Sequence, residues 1–283
     1  MDSYKNKVAA ITGAASGIGE ALAMELARQG CNLALADINE ANLQKVADKV
    51  KSTGVTVSQH IVDVSNQQAM KNFARDTVKQ HHKVNLVINN AGVALAETVD
   101  QMSYQNFEWL MNINFWGVVY GTKEFLPYLK KTTHAHVVNV SSVFGLYAVP
   151  TQSAYNAAKF AVRGFTECLQ EELRIENSHV QCTCVFPSGI KTNIAQNGRM
   201  GSTDDKYHVE DLRANFDSYA HTTAEDAAKS ILKAVKKEKD RALIGPDAYA
   251  MDLLQRIFPS TYKQLFIQGT KLNHWWKNKR QSI

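Results

Sequence analysis

The feature that most constrains this chain is a strict alternation of short apolar runs with longer helix-patterned segments. The runs occupy 7–12 (KVAAIT), 32–37 (NLALAD), 56–62, 84–89 (VNLVIN), 135–141, 180–186 and 241–244. Helical patterns fill 18–29, 40–53, 66–81, 104–131, 153–176 and 223–237 between them. Runs that stay apolar along most of their length predict strands buried on both faces, as in a parallel sheet covered by helices. Seven such strands in β-α order predict an α/β fold with one doubly wound parallel sheet. A chain of 283 residues, 45% of them hydrophobic, holds one such domain without help from disulfides or metals. That domain is placed at 1–249, with a helical extension at 250–283. Within it, 194–221 is polar and lacks a strong period, the mark of a functional loop.

Several function classes fall away on composition. The net charge is only +5, and Lys271, Lys277, Lys279 and Arg280 crowd the C-terminus rather than forming a stripe over the body, against nucleic-acid binding. Cys31, Cys168, Cys182 and Cys184 fit no zinc template, and Cys182 and Cys184 read as small core residues of a strand. Residues 1–7 are polar, and no run nears the ~18 apolar residues of a membrane span, so a cytoplasmic protein is expected. The extension carries Leu253, Leu254, Ile257, Phe258, Leu265, Phe266, Trp275 and Trp276. Three roles are open to it: a helix closing the pocket or a subunit interface, a peripheral membrane contact through Trp275, Trp276 and the nearby cations, or a free tail.

The turn after the first strand is Thr12-Gly13-Ala14-Ala15-Ser16-Gly17-Ile18-Gly19. It is neither a Walker loop nor a G-x-G-x-x-G turn. Its glycines still let backbone approach a pyrophosphate, and the following helix aims its first amides at the anion. Asp37 ends the second strand, where a carboxylate accepts hydrogen bonds from an adenosine ribose and repels a 2′-phosphate. NAD is therefore predicted over NADP. Farther on, Tyr155 and Lys159 share a helix face. A nearby ammonium favours phenolate, so Lys159 is expected to lower the Tyr155 pKa and ready the phenol for proton transfer.

Together these residues resemble the short-chain dehydrogenase/reductase family in its compact, single-domain form, over about Lys7 to Gly245. The turn matches T-G-x-x-x-G-x-G, Asn89-Asn90-Ala91-Gly92 the N-N-A-G after the fourth strand, and Asn114-Phe115-Trp116-Gly117 the motif of the active-site asparagine. Asn139-Val140-Ser141-Ser142 supplies the serine, and Tyr155 with Lys159 the Y-x-x-x-K pair. The resemblance implies a Rossmann-like fold, a homodimer or homotetramer, and a role for each residue. Ser142, thirteen residues before Tyr155, would polarise the substrate oxygen. Tyr155 would be the general acid/base, Lys159 would hold the nicotinamide ribose, and Asn114 would position a water leading from Lys159 to solvent. Gly13, Ser16, Gly17, Ile18, Gly19, Asp37, Asp63, Val64, Asn90, Gly92, Pro187, Ile190 and Thr192, with Tyr155 and Lys159 themselves, would line the cofactor. Ser188 departs from the pattern by standing where the family has glycine. Ala94, Leu95, Phe144, Tyr147, Val149 and Gln152 would wall the substrate pocket, together with 194–221.

That wall is mostly apolar and fits an apolar secondary alcohol or ketone, an aldehyde or a 3-oxoacyl compound. The expected function is NAD(H)-dependent hydride transfer with no metal. An NADP-dependent 3-oxoacyl reductase and a non-catalytic NAD(H) sensor are the alternatives. The intact Asn114, Ser142, Tyr155 and Lys159 speak against the sensor. An epimerase or dehydratase would need a larger C-terminal domain than the region after Gly245 supplies.

Overall fold

A computed structural model of the chain describes residues 3–192, 194, 198–200, 221–264 and 267. In chain order the first half reads β1 (Val8–Thr12), α1 (Gly17–Arg28), β2 (Asn32–Asp37), α2 (Glu40–Lys51), β3 (Val57–Ile61), α3 (Gln67–His81), β4 (Leu86–Asn89), β5 (Leu95–Ala96) and α4 (Tyr104–Met111). A π-helical turn, Asn112–Trp116, leads into α5 (Gly117–Leu129). Then follow β6 (Ala135–Val140), α6 (Ser153–Ile175), β7 (Val180–Pro187), β8 (Arg199–Met200), α7 (Ala224–Lys236), β9 (Arg241–Ile244) and α8 (Pro246–Ile257). Several helices begin where a side chain takes up an orphan amide: Asn39 accepts from Asn42, Asn66 from Ala69, and Thr223 from Asp226.

The main sheet has seven strands in the order β3-β2-β1-β4-β6-β7-β9, with every pairing parallel. The expected sheet is thus present. Successive strand residues point to opposite faces, so each strand feeds two cores. Ile11, Leu33, Leu35 and Ile88 join Leu22, Leu26, Leu43 and Ile231 on one face. Ala10, Ala34 and Val87 join Met70, Phe73, Phe125 and Leu169 on the other. Strand order reverses between β1 and β4. The crevice at their C-terminal ends is where such sheets bind ligands, and it is floored by the glycine turn and Asn90.

Three features depart from the sequence expectation. The helical stretch 104–131 is broken by the π turn, which carries Asn114. The segment expected to be irregular contains β8, which pairs in parallel with β5 as a separate two-stranded sheet. Two-residue strands are too short to show a period. The boundary placed at 249/250 falls inside α8, whose Ala248 is buried against Val143, Leu146, Tyr147 and Phe186. Trp275, Trp276 and the terminal cations lie outside the described residues, as do 195–197 and 201–220 of the expected loop. Among the described residues no helix is long and apolar enough to cross a membrane.

One buried polar network ties the layers together. Asn89 donates to Thr122 at 3.1 Å and to Asn139 at 2.8 Å, and Asn139 donates to Thr166 at 3.1 Å. It joins β4, α5, β6 and α6, and Asn89, Asn139 and the Tyr155/Lys159 pair lie on these elements. A half-satisfied buried network costs more than the sum of its lost bonds. Asn139→Ala is expected to destabilise the protein by about 2–4 kcal/mol in urea denaturation. A change below about 0.5 kcal/mol would show that the network carries no stability.

Candidate active site

The glycine turn is held open by close backbone approach. A Cβ at Gly13, which has φ +65°, would come 2.8 Å from Cα of Ala91, and one at Gly19 would come 2.0 Å from the Gly13 carbonyl oxygen. Asn90 fixes the geometry by donating to the carbonyls of Thr12 and Gly13 at 3.1 and 3.2 Å. Ser16, the exposed N-cap of α1, makes no side-chain cap bond. The helix therefore presents uncapped amides beside bare glycine backbone, which fits the pyrophosphate of a dinucleotide. Ile18 is half-buried beside it. Thr192 approaches the same turn, 3.1 Å from where a Cβ of Gly17 would stand.

Asp37 reaches the turn from β2. One carboxylate oxygen accepts from the Ala15 amide at 3.0 Å and the other from Asn39 at 2.9 Å. Each oxygen keeps a lone pair for a ribose hydroxyl. Asp63 is exposed and holds Ser65 through its amide and hydroxyl at 2.9 and 2.7 Å. Val64 is buried against Gly117. Pro187 ends β7, and Ile190 is buried and bridges Thr222. Ser188 turns its hydroxyl toward Gly245, where a Cβ would lie 2.3 Å away, and that oxygen finds no hydrogen-bond partner among the described residues. The serine is thus accommodated by a glycine on the adjoining turn.

Beyond β6 the two serines part roles. Ser141 is buried and donates to the Lys159 carbonyl at 2.8 Å. Ser142 is half-buried and accepts from Phe144 at 3.1 Å, and its hydroxyl lies close enough to the Tyr155 phenol to oppose the rise in its pKa. The Lys159 ammonium is buried, donates to the Val140 carbonyl at 2.9 Å, and lies 5.6 Å from the centre of the Tyr155 ring. A Cβ on Gly92 would sit 3.8 Å from it and 3.3 Å from the Asn114 side-chain oxygen. Ser142, Tyr155, Lys159, Gly92 and Asn114 are therefore neighbours.

The titration behaviour corrects one expectation. Tyr155 is not lowered: burial pushes it up to about 12, with the Ser142 hydrogen bond pulling the other way. The hydroxyl lies deep in the fold although part of the residue surface stays open. Lys159 is itself pulled down to about 8 by burial. Desolvation outweighs the attraction that spacing alone brings to mind. Asn114 is held by the neighbouring main chain. Its amide accepts from the Val93 N–H at 2.8 Å and donates to the Val93 carbonyl at 2.9 Å, clamping the strand that follows Gly92.

Of the expected substrate wall, Phe144 packs edge-on to Tyr155 with ring centres 6.0 Å apart, and Tyr147 packs on Phe144 at 5.6 Å. Ala94, Val149 and Gln152 are half-buried. Leu95 is corrected: it is buried with Leu110, Ala154 and Ala158, filling core rather than facing a cleft. Asn156 was not anticipated. It donates to the carbonyls of Phe144 and Tyr147 at 2.7 and 2.8 Å and accepts from Val149 at 3.1 Å. Its signal was a polar residue on the buried face of the Tyr155 helix. A groove of about 580 Å³ beside β9 and α8 contains none of these residues. Cys182 and Cys184 are buried strand residues and not disulfide-bonded.

The short chain dehydrogenase family matches residues 7–202. SadH of Mycobacterium tuberculosis, named an oxidoreductase, is 42% identical over 279 residues, covering 98% of this chain and 100% of the relative. A short-chain dehydrogenase/reductase of Burkholderia phymatum, solved in complex with NAD, superposes with TM-score 0.85 at 29% identity, covering 93% of this chain and 97% of that one. An alcohol dehydrogenase of Thermococcus sibiricus, solved with 5-hydroxy-NADP, gives TM-score 0.71 at 26% identity, covering 84% and 95%.

The buried ammonium has a measurable signature. In the unfolded chain a lysine titrates near ~10.4. Below about pH 8 both states hold the proton, and the folded state bears the cost of the buried charge. Above that, the folded protein releases a proton the unfolded chain keeps, so stability from this group rises with pH. Lys159→Met should thus hold its largest advantage over wild type at pH 7 and lose about 3 kcal/mol of it by pH 10.5. Urea denaturation of both proteins across that range checks this, and a pH-independent difference contradicts it.

Proposed function

This chain belongs to the short-chain dehydrogenase family, and on that premise we propose that it interconverts an apolar secondary alcohol and its ketone with NAD(H), Tyr155 exchanging the proton. The class is oxidoreductase, acting on CH–OH donors with NAD or NADP. The observation that carries the finer reading is the grouping of Ser142, Tyr155 and the buried Lys159 beside Gly92.

When bound, the nicotinamide supplies or accepts the hydride at the substrate carbon. The chain's own residues handle position and proton. Uncapped α1 amides and the turn glycines receive the pyrophosphate, and Asp37 receives the adenosine ribose. Ser142 donates a hydrogen bond to the substrate oxygen. The Tyr155 phenol, protonated at neutral pH, gives its proton to an oxygen that is becoming an alkoxide. In the reverse direction the same phenolic oxygen takes the proton back. Lys159, kept cationic near neutral pH and held on the Val140 carbonyl, faces the phenol and stabilises charge developing there. Asn114 keeps Val93 and Gly92 close to the ammonium. Asn114, so placed, would position a water connecting Lys159 to solvent.

Asp37 supports NAD over NADP, since a second negative group on the ribose would meet a carboxylate already seated on the turn. The aromatic pair Phe144 and Tyr147 beside Tyr155 supports an apolar substrate. The test is an assay of aliphatic, cyclic and acyl-thioester alcohols and ketones with both cofactors. The expected result is kcat/KM at least about tenfold higher with NAD(H), narrowed in Asp37→Asn. Equal kcat/KM with both cofactors would overturn the NAD reading, and turnover confined to charged or sugar substrates would overturn the apolar one.

A further inference from the structure

We propose that Arg199 is a positioning residue that sets substrate affinity by strapping the segment after β7 onto the substrate wall. The inference rests on the proposed placement of the substrate beside Ala94 and Tyr155.

Three contacts converge on this one residue. Its guanidinium lies over the Trp109 ring, 3.8 Å from the centroid. It donates to the Asn106 side-chain oxygen at 3.1 Å. Its own amide donates to the Ala94 carbonyl at 3.0 Å. Trp109 and Asn106 stand one turn apart on α4, so a planar cation meets a ring face and a directional acceptor together. Arginine satisfies both, whereas a lysine ammonium keeps the charge and loses the stacked plane. Asn106 passes the contact inward by donating to the buried Glu97 carboxylate at 3.3 Å. The approach is close: a Cβ on Gly198 would stand 2.9 Å from both Cβ and the carbonyl oxygen of Ala94.

What the strap holds is the roof of the site. β8 pairs with β5, and the chain just past β5 meets the entry to the Tyr155 helix on its other side. Glu97 donates its amide to the Thr151 carbonyl at 2.9 Å and bridges Gln152. The strap, β5 and 151–152 thus form one continuous backbone layer. Upstream, the same segment passes Thr192 at the glycine turn. On its inner face α4 buries Leu110 with Leu95, Ala154 and Ala158, against which Tyr155 packs.

Lys159 is anchored apart from this layer, tied to β6 through its ammonium on Val140 and through Ser141 on its carbonyl. Tyr155 is carried on the same helix as Lys159, so releasing the strap loosens the wall around the substrate more than it disturbs the proton-transfer groups. The effect belongs in KM rather than kcat.

The test uses the full chain and whichever alcohol the wild type oxidises. Arg199→Ala should raise KM about tenfold with kcat changed less than about twofold. Arg199→Lys should recover part of the loss. Trp109→Leu should raise KM similarly, and the double variant no more than either single, because both cut the same contact. Hydrogen exchange read by mass spectrometry supplies an arm independent of activity: Arg199→Ala should speed exchange across 94–97 and leave the β6 strand protected. Unchanged KM, additive KM effects, or unaltered exchange at 94–97 would each overturn the proposal. If the wild type turns over no alcohol or ketone, the functional reading fails and the exchange arm alone decides the strap.

Discussion

The catalytic half of this fold is arranged around one buried charge. Lys159 is 3% exposed and has no carboxylate within ion-pair distance among the described residues. Placing an ammonium there is costly, and burial draws its pKa down to about 8. The fold compensates with a single backbone carbonyl, that of Val140, at the very end of β6. This requirement explains much nearby: why Ser141 ties the Lys159 backbone to the same strand end, and why Gly92 presents no side chain there.

Tyr155 is the counterpart of that arrangement. Burial lifts the phenol to about 12 while the Ser142 hydroxyl opposes it. A phenol held protonated is an acid for a nascent alkoxide. Its conversion to a base in the other direction draws on the positive charge close by. The structure thus shifts the emphasis from a tyrosine pre-lowered by lysine to a lysine strained toward neutrality beside a tyrosine held neutral.

The sheet was legible in the sequence because strands buried on both faces are apolar along most of their length, as 7–12, 32–37 and 84–89 are. The helices over 66–81 and 223–237 were legible through their patterns. The glycine turn and the Tyr155/Lys159 pair were legible because their spacing is local. Contacts between distant segments were not. Nothing local to Arg199 announces Trp109, ninety residues earlier, and two-residue strands have no period to read. Asn156 was hidden by its neighbour Tyr155, and Leu95 was misplaced because an apolar residue beside a motif reads the same whether it faces cleft or core. The direction of the Tyr155 shift was missed for a related reason: spacing reveals a nearby charge, but burial depth is a tertiary property.

Tyr155 moves the proton, while most of the grip on the dinucleotide comes from the β1–α1 turn and Asp37. The most direct measurement is Tyr155→Phe, assayed for turnover and titrated for dinucleotide binding on the same preparation. Removing the phenolic oxygen is predicted to lower kcat by about a thousandfold or more with NAD(H) affinity kept within about threefold. Turnover near the wild-type rate, or loss of dinucleotide binding in parallel with activity, would contradict the account.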